Sequence, residues 1–162
     1  MINNPKIIGN RKNLVAAVKK LKRSGKKVVF TNGCYDLLHV GHVRFLKTAK
    51  KMGDVLLLAL NSDSSVKRIK GPKRPVTGQN ERAELMAALD CVDMVTFFEE
   101  DDPYAIIKDV IPDVLVKGGD WAIDRIIGAD VVKAAGGKVR NIKYIKGKST
   151  TNVIAKVLKY YK

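Results

Sequence analysis

The amino-acid sequence predicts an α/β protein in which about five parallel strands form one doubly wound sheet with helices on both faces. Three observations carry that expectation. Val28-Val29-Phe30, Met94 to Phe98 and Asp113 to Val116 are short, apolar and rich in branched or aromatic residues, as buried strands are. Stretches with apolar residues at helical spacing separate them, so strands and helices alternate along the chain. Val55-Leu56-Leu57-Leu58-Ala59-Leu60 shows no polar alternation, which a strand covered on both faces requires.

Taken in order, residues 1–9 read as an N-terminal extension, 10–25 as a leading helix and 26–162 as the α/β core of a single domain. Leu14, Val15, Val18 and Leu21 give the leading helix its apolar side, Gly25 ends it, and it is expected to lie over the sheet edge. Lys27 to Thr31 is the first strand. Gly33 lets the chain turn as it leaves that strand, and a helix follows to about Met52.

Asp54 to Asn61 is the second strand, after which Ser62-Asp63-Ser64 caps a short helix through about Ile69. Lys70-Gly71-Pro72-Lys73-Arg74-Pro75 holds two prolines and a glycine, so it reads as a flexible basic surface loop, able to fold over a ligand as an arm. Glu81 to Leu89 is helical and Met94 to Phe98 a third strand. Pro103 suits the first turn of the next helix, which runs to Lys108 or Asp109. Asp113 to Val116 is a fourth strand, Ala129 to Ala135 a helix closed by Gly136-Gly137, Lys138 to Ile145 a fifth strand and Thr151 to Tyr161 the last helix.

Composition narrows the chemistry without choosing it. With 46% hydrophobic and 29% charged residues the chain is globular rather than disordered. Thirty-one Lys and Arg against 16 Asp and Glu give +15, a charge that attracts anions of many kinds. The lysines are spread out, no block of five or six like charges occurs, and aromatics make up only 6%, so nucleic acid is not expected as a partner. No signal peptide precedes the core, and the longest apolar run, Val55 to Leu60, is too short to span a membrane. Cys34 and Cys91 stand far apart, as reduced thiols of a cytoplasmic protein would, and no cluster of metal ligands accompanies them.

The chemistry gathers at strand ends. The only two histidines, His39 and His42, follow the first strand, and His42 falls in the first turn of a helix, whose free N–H groups and partial positive charge suit phosphate. In a parallel sheet ligands sit beyond the carboxyl ends of the strands. There the second strand ends in Asn61-Ser62-Asp63, the fourth in Lys117-Gly118-Gly119-Asp120, and the fifth runs into Lys146 to Thr151, so all are expected to face one crevice. Ser149-Thr150-Thr151 serves equally as a helix cap or as a phosphate cradle. Gly147-Lys148-Ser149-Thr150 is not a phosphate-binding Walker loop, because position 142, where that motif needs glycine, is Ile.

Gly33-Cys34-Tyr35-Asp36-Leu37-Leu38-His39-Val40-Gly41-His42 resembles the G-x-[FY]-D-x-x-H-x-G-H signature of the cytidylyltransferase-like nucleotidyltransferases, and Gly147 to Thr151 resembles their G-x-S-T-T motif. Asn61-Ser62-Asp63, Val66 to Pro72, Arg74-Pro75-Val76, Glu81-Arg82-Ala83-Glu84 and Val114 to Asp120 are similar to the branch that adenylylates a heptose 1-phosphate in ADP-heptose synthesis. The resemblance covers about residues 10 to 160. It implies the Rossmann-like fold of that family and AMP transfer from ATP, with Mg²⁺, to a sugar 1-phosphate. It also implies a homodimer, here without the sugar kinase to which the activity is often fused.

The resemblance, together with the residues themselves, suggests roles for single residues. His39, His42, Lys70 and Arg82 would act on the phosphates and the transition state, while Ser149, Thr150 and Thr151 would hold the β and γ end. Asp120 and Trp121 would position the nucleoside, and Thr31, Asn32, Gly33, Cys34, Tyr35, Gly41, Asn61, Asp63, Lys117 and Gly119 would complete the nucleotide site. Asp36 is expected to support the loop rather than react, and no protein metal site is implied. Tyr144-Ile145-Lys146 lacks the Arg-Thr-Glu that precedes G-x-S-T-T in glycerol-3-phosphate cytidylyltransferases, which counts against CTP, and Lys148 stands where the heptose branch has an aromatic or apolar residue. Glycerol 3-phosphate with CTP, FMN with ATP, and a basic nucleic-acid-binding protein on the same fold are the rival readings.

Overall fold

Leucine, valine and isoleucine runs with no polar face can be satisfied only by cover on both sides, and the computed structural model supplies it; it describes residues 4–119, 121–143 and 149–161. Five strands, β1 (Val28–Gly33), β2 (Val55–Asn61), β3 (Met94–Phe98), β4 (Val114–Gly118) and β5 (Lys138–Ile142), pair in parallel in the order β3-β2-β1-β4-β5. The chain winds outward from β1 in one direction and then returns to wind the other way. The order therefore reverses between β1 and β4, which opens a crevice at their carboxyl ends.

Seven helices accompany the sheet among the described residues: α1 (Arg11–Arg23), α2 (Val40–Lys50), α3 (Asp63–Lys70), α4 (Gln79–Ala87), α5 (Tyr104–Val110), α6 (Ala129–Ala134) and α7 (Thr150–Tyr160). Alternate strand residues divide the core in two. Phe30, Leu57, Met94, Leu115 and Val139 meet α1, α5 and α6 on one face, and Val29, Leu56, Leu58, Val95 and Val116 meet α2 and α4 on the other. This is the expected doubly wound arrangement.

Local chemistry explains the helix starts. The Asn10 side chain accepts Asn13 N–H at 3.1 Å to cap α1, and Ser62 accepts Ser65 N–H at 3.2 Å to cap α3. Two expectations need correcting, and one element was missed. The leading helix packs across β1 and α5 rather than over the sheet edge, because Leu14 and Val18 are fully apolar and find their cover there. The edge is instead met by the extension, where Ile7 bridges to Val95 and Ile8 N–H donates to its carbonyl at 2.8 Å. Pro103 precedes α5 as its cap residue and does not begin its first turn. A short 3-10 turn, Ile123–Arg125, went unread because three residues carry no periodicity.

The last part of the expected fifth strand, residues 144–145, lies outside the described residues, as do positions 1–3 of the extension. Among the described residues no helix is long and apolar enough to cross a membrane.

Candidate active site

The site is built on the turn that leaves β1. Tyr35 adopts φ 46°, in the left-handed region that L-residues enter at a cost, and its ring is buried among Leu46, Leu58 and Val116. Burial of that ring is what holds the strained turn. Gly33 matters for a different reason from the one its sequence position suggests. A Cβ there would stand 2.9 Å from the Tyr35 ring, so glycine is needed for close approach rather than for a positive φ.

The turn delivers His39 and His42 to the start of α2. His39 is the helix cap residue and its side chain caps no backbone N–H; the His42 amide donates to His39 O at 2.9 Å, and the dipole at the start of the helix remains available to an anion. The two imidazoles stack with centroids 3.7 Å apart, and the Tyr35 ring lies 4.8 Å from that of His42. Burial and, second, the charge of His39 pull the His42 pKa down to about 4, so His42 is neutral near pH 7. Its Nδ1 is buried with no hydrogen-bond partner among the described residues.

Asp36 is buried on the same turn and ties it to the basic segment. Its carboxylate pairs with Arg74 and accepts Val76 N–H at 2.8 Å and Thr77 N–H at 2.9 Å. The loop that reads as a free arm is thus anchored at its far end, while Lys70 and Arg74 still face the cavity. Asp36 supports the loop, as expected.

Arg82 corrects another expectation. It is fully buried, and its guanidinium donates to Thr77 O at 3.0 Å, Asn61 O at 2.9 Å, Asp63 Oδ1 at 2.8 Å and Cys34 O. Those acceptors hold it beneath the site and outside the cavity lining, where it joins the ends of β1 and β2 to α3 and α4. A rigid five-donor fork suits this task, and sequence spacing cannot tell it from a phosphate ligand.

A cavity of about 790 Å³ opens over the carboxyl ends of the strands. Of the expected residues, Asn32, Gly33, Cys34, Tyr35, His39, Gly41, His42, Asn61, Lys70, Lys117, Ser149, Thr150 and Thr151 line it. Five others do not. Thr31 is buried in β1, its Oγ1 without a hydrogen-bond partner among the described residues, and Asp63 is held by Arg82. Arg82 lies below, Gly119 bonds back to Ile142 O at 2.9 Å, and the Trp121 side chain is 56% exposed outside the lining. Asp120, Gly147 and Lys148 lie outside the described residues.

The structure adds residues the sequence reading missed. Arg44, Phe45 and Thr48 line the cavity from α2, where spacing of three, four and seven residues from Gly41 offered a signal; Lys143, Asn152 and Ile127 offered none. Ser149 caps α7, its hydroxyl oxygen accepting Asn152 N–H at 3.1 Å, and it also lines the cavity, where its O–H can donate.

The arrangement is suited to an anion of several charges. The starts of two eleven-residue helices, α2 and α7, meet one cavity that also receives Lys70, Arg74, Lys117 and Lys143. Among the described residues no group of three or more His, Cys, Asp or Glu is placed to hold a metal. Burial raises the Cys34 thiol pKa, and its sulfur lies 3.9 Å from Asn61 Oδ1, so it is not a nucleophile held ready as thiolate.

Comparison with known proteins points the same way. A family model described as cytidylyltransferase-like matches residues 30–156. The bifunctional protein HldE of Geobacter sulfurreducens is 53% identical over 148 residues, covering 91% of this chain and 30% of that protein. HldE of Trichlorobacter lovleyi is 52% identical over 154 residues, covering 95% and 31%. The chain thus spans about a third of the length of these relatives. Among solved structures, the lipopolysaccharide core biosynthesis protein of Thermoplasma volcanium superposes with a TM-score of 0.62 at 29% identity, over 76% of this chain and all of that one. Pantoate-beta-alanine ligase of Francisella tularensis, at 16% identity and TM-score 0.59, covers 94% of this chain and 78% of that one and shares the fold.

Proposed function

We propose, because this chain belongs to the cytidylyltransferase-like family, that residues 1–162 form a nucleotidyltransferase domain that moves AMP from ATP to D-glycero-β-D-manno-heptose 1-phosphate. The products are ADP-heptose and pyrophosphate. The observation that carries the reading is the meeting of His39 and His42 at the start of α2 with Ser149, Thr150 and Thr151 at the start of α7 across one cavity. Similarity to the HldE proteins, and to a lipopolysaccharide core biosynthesis protein, supports the sugar phosphate as acceptor.

An acceptor phosphate oxygen attacks the α-phosphorus in line; the new P–O bond forms as the bond to the bridging oxygen breaks, and pyrophosphate leaves with that electron pair. The attacking phosphate is already an anion, so the protein supplies no nucleophile and takes no proton. Its work is positioning and charge stabilisation. The α2 amides with His39 and His42 face the α- and β-phosphates, and Lys70 and Arg74 add positive charge. Ser149, Thr150 and the α7 amides hold the β and γ end. Mg²⁺ would arrive on the triphosphate, whose charge it neutralises, which fits a site without a carboxylate cage among the described residues. We assign the reaction to the cytoplasm and to a homodimer.

Pyrophosphate release is the test, with ATP and CTP crossed against the heptose phosphate, glycerol 3-phosphate and FMN, beside a His42→Ala control. Turnover with ATP and the heptose phosphate, lost in the control, is the expected result. Turnover only with another pair would move the substrate, and none at all would overturn the assignment.

A further inference from the structure

Lys117 stands apart from the other cations of the cavity. Its Nζ donates to Asn32 Oδ1 at 3.3 Å, the side chain is half-buried, and among the described residues no carboxylate pairs with it. A desolvated ammonium held by one neutral amide is incompletely compensated, and it sits where an anion can reach it.

Its side of the sheet is also informative. Phe30 and Leu115 are paired across β1 and β4 and face α1, α5 and α6. Asn32 and Lys117, each two residues further along its strand, share that face at the rim. His39 and His42 come from α2, which packs on the opposite face. The ends of β1 and β4 thus divide the cavity into a histidine side and a Lys117 side. Asp102 and Pro103, just before α5, line the cavity too, and α5 packs on the Lys117 face.

In-line displacement requires attacker and leaving group on opposite sides of the phosphorus. With the pyrophosphate leaving toward α2, the attacker must come from the other side. We propose that Lys117, set by Asn32, binds the phosphate of the acceptor and directs its attacking oxygen, rather than completing the ATP site. This rests on the nucleotidyltransfer reading and deepens it by naming the residue that recognises the second substrate.

The test separates the two substrates. Calorimetry measures binding of the non-cleavable analogue α,β-methylene-ATP, and of the heptose phosphate to the analogue-loaded protein, for wild type, Lys117→Gln and Lys117→Arg; steady-state assays give KM for each substrate. The expected result for Lys117→Gln is acceptor binding weaker by about tenfold or more, as for loss of a charge-assisted hydrogen bond, with analogue affinity and melting temperature unchanged. Lys117→Arg, which keeps the charge, should recover part of the acceptor affinity.

A pH profile adds a readout that a merely structural role would not move. Burial holds the Lys117 ammonium below the usual lysine range, with Cys34 partly opposing it and Lys70 acting in the same sense as burial. Acceptor KM should therefore climb with rising pH in wild type and stay flat over that range in Lys117→Arg. Unchanged acceptor binding in Lys117→Gln, or an equal loss for the ATP analogue, overturns the inference while leaving the reaction assigned. A wild-type protein that neither binds nor turns over a sugar phosphate overturns both.

Discussion

The imidazole rings of His39 and His42 stack with centroids 3.7 Å apart and planes inclined by 22°. Two cations cannot share that separation at low cost, so the pair holds at most one proton easily. A bound polyphosphate reverses the balance, because its charge favours protonated imidazole.

Proton uptake on nucleotide binding follows. The free-enzyme pKa of His42 is pulled down to about 4 by burial and by His39. A triphosphate raises it, so between the free and bound values binding takes up a proton and affinity grows as pH falls. Calorimetry with α,β-methylene-ATP near pH 5.5, in buffers of different ionisation enthalpy, should show uptake that His42→Ala abolishes. The same lowered pKa makes the folded state bind fewer protons than the unfolded one between about 4 and 6.5. Stability from this group is therefore complete above the unfolded value and is lost as pH falls through the folded one.

Removing either imidazole should act on the transition state more than on binding. His39→Ala and His42→Ala are each expected to lower kcat by roughly 10²- to 10³-fold, the range for one preorganised donor, with KM for ATP moving much less. Equal losses in kcat and in analogue affinity for the variants would contradict that assignment.

Asp36→Asn should release the basic segment. The buried carboxylate loses its pairing with Arg74, a change expected to cost about 3 kcal/mol. Trypsin should then cut after Lys70 or Lys73 faster than in wild type, and a protease pattern identical to wild type would show that the segment is held by something else.

Arg82→Lys keeps a charge and loses the fork. A lysine cannot reach the carbonyls of Thr77, Cys34 and Asn61 together with Asp63. Loss of about 2–4 kcal/mol is expected, lowering the melting temperature by roughly 5–15 °C. If Arg82 met phosphate instead, the variant would melt like wild type and lose nucleotide affinity.

Helical and strand periodicity made the order of elements legible, since apolar runs and their spacing are local properties. Val55 to Leu60 announced a strand covered on both faces, and β2 is that strand. The histidines, glycines and hydroxyls of the site were legible as well, because they fall at strand ends, where a parallel sheet collects its ligands. The placement of Trp121 outside the cavity lining was not legible, because an aromatic beside a turn looks the same whether or not it faces a cavity. Arg44 was missed because an arginine on a helix reads first as a solvated surface.

By itself the sequence determined which segments are strands, that the sheet is parallel and doubly wound, and that both histidines fall where the first strand gives way to its helix. Those properties follow from side-chain periodicity and from the donor groups of short contiguous motifs. Only the tertiary structure decided that Arg82 braces the site from below, that Asp36 anchors the basic segment, and that Lys117 and the histidines stand on opposite sides of the sheet. Burial, pairing and direction depend on residues far apart in the chain, and spacing along it does not encode them.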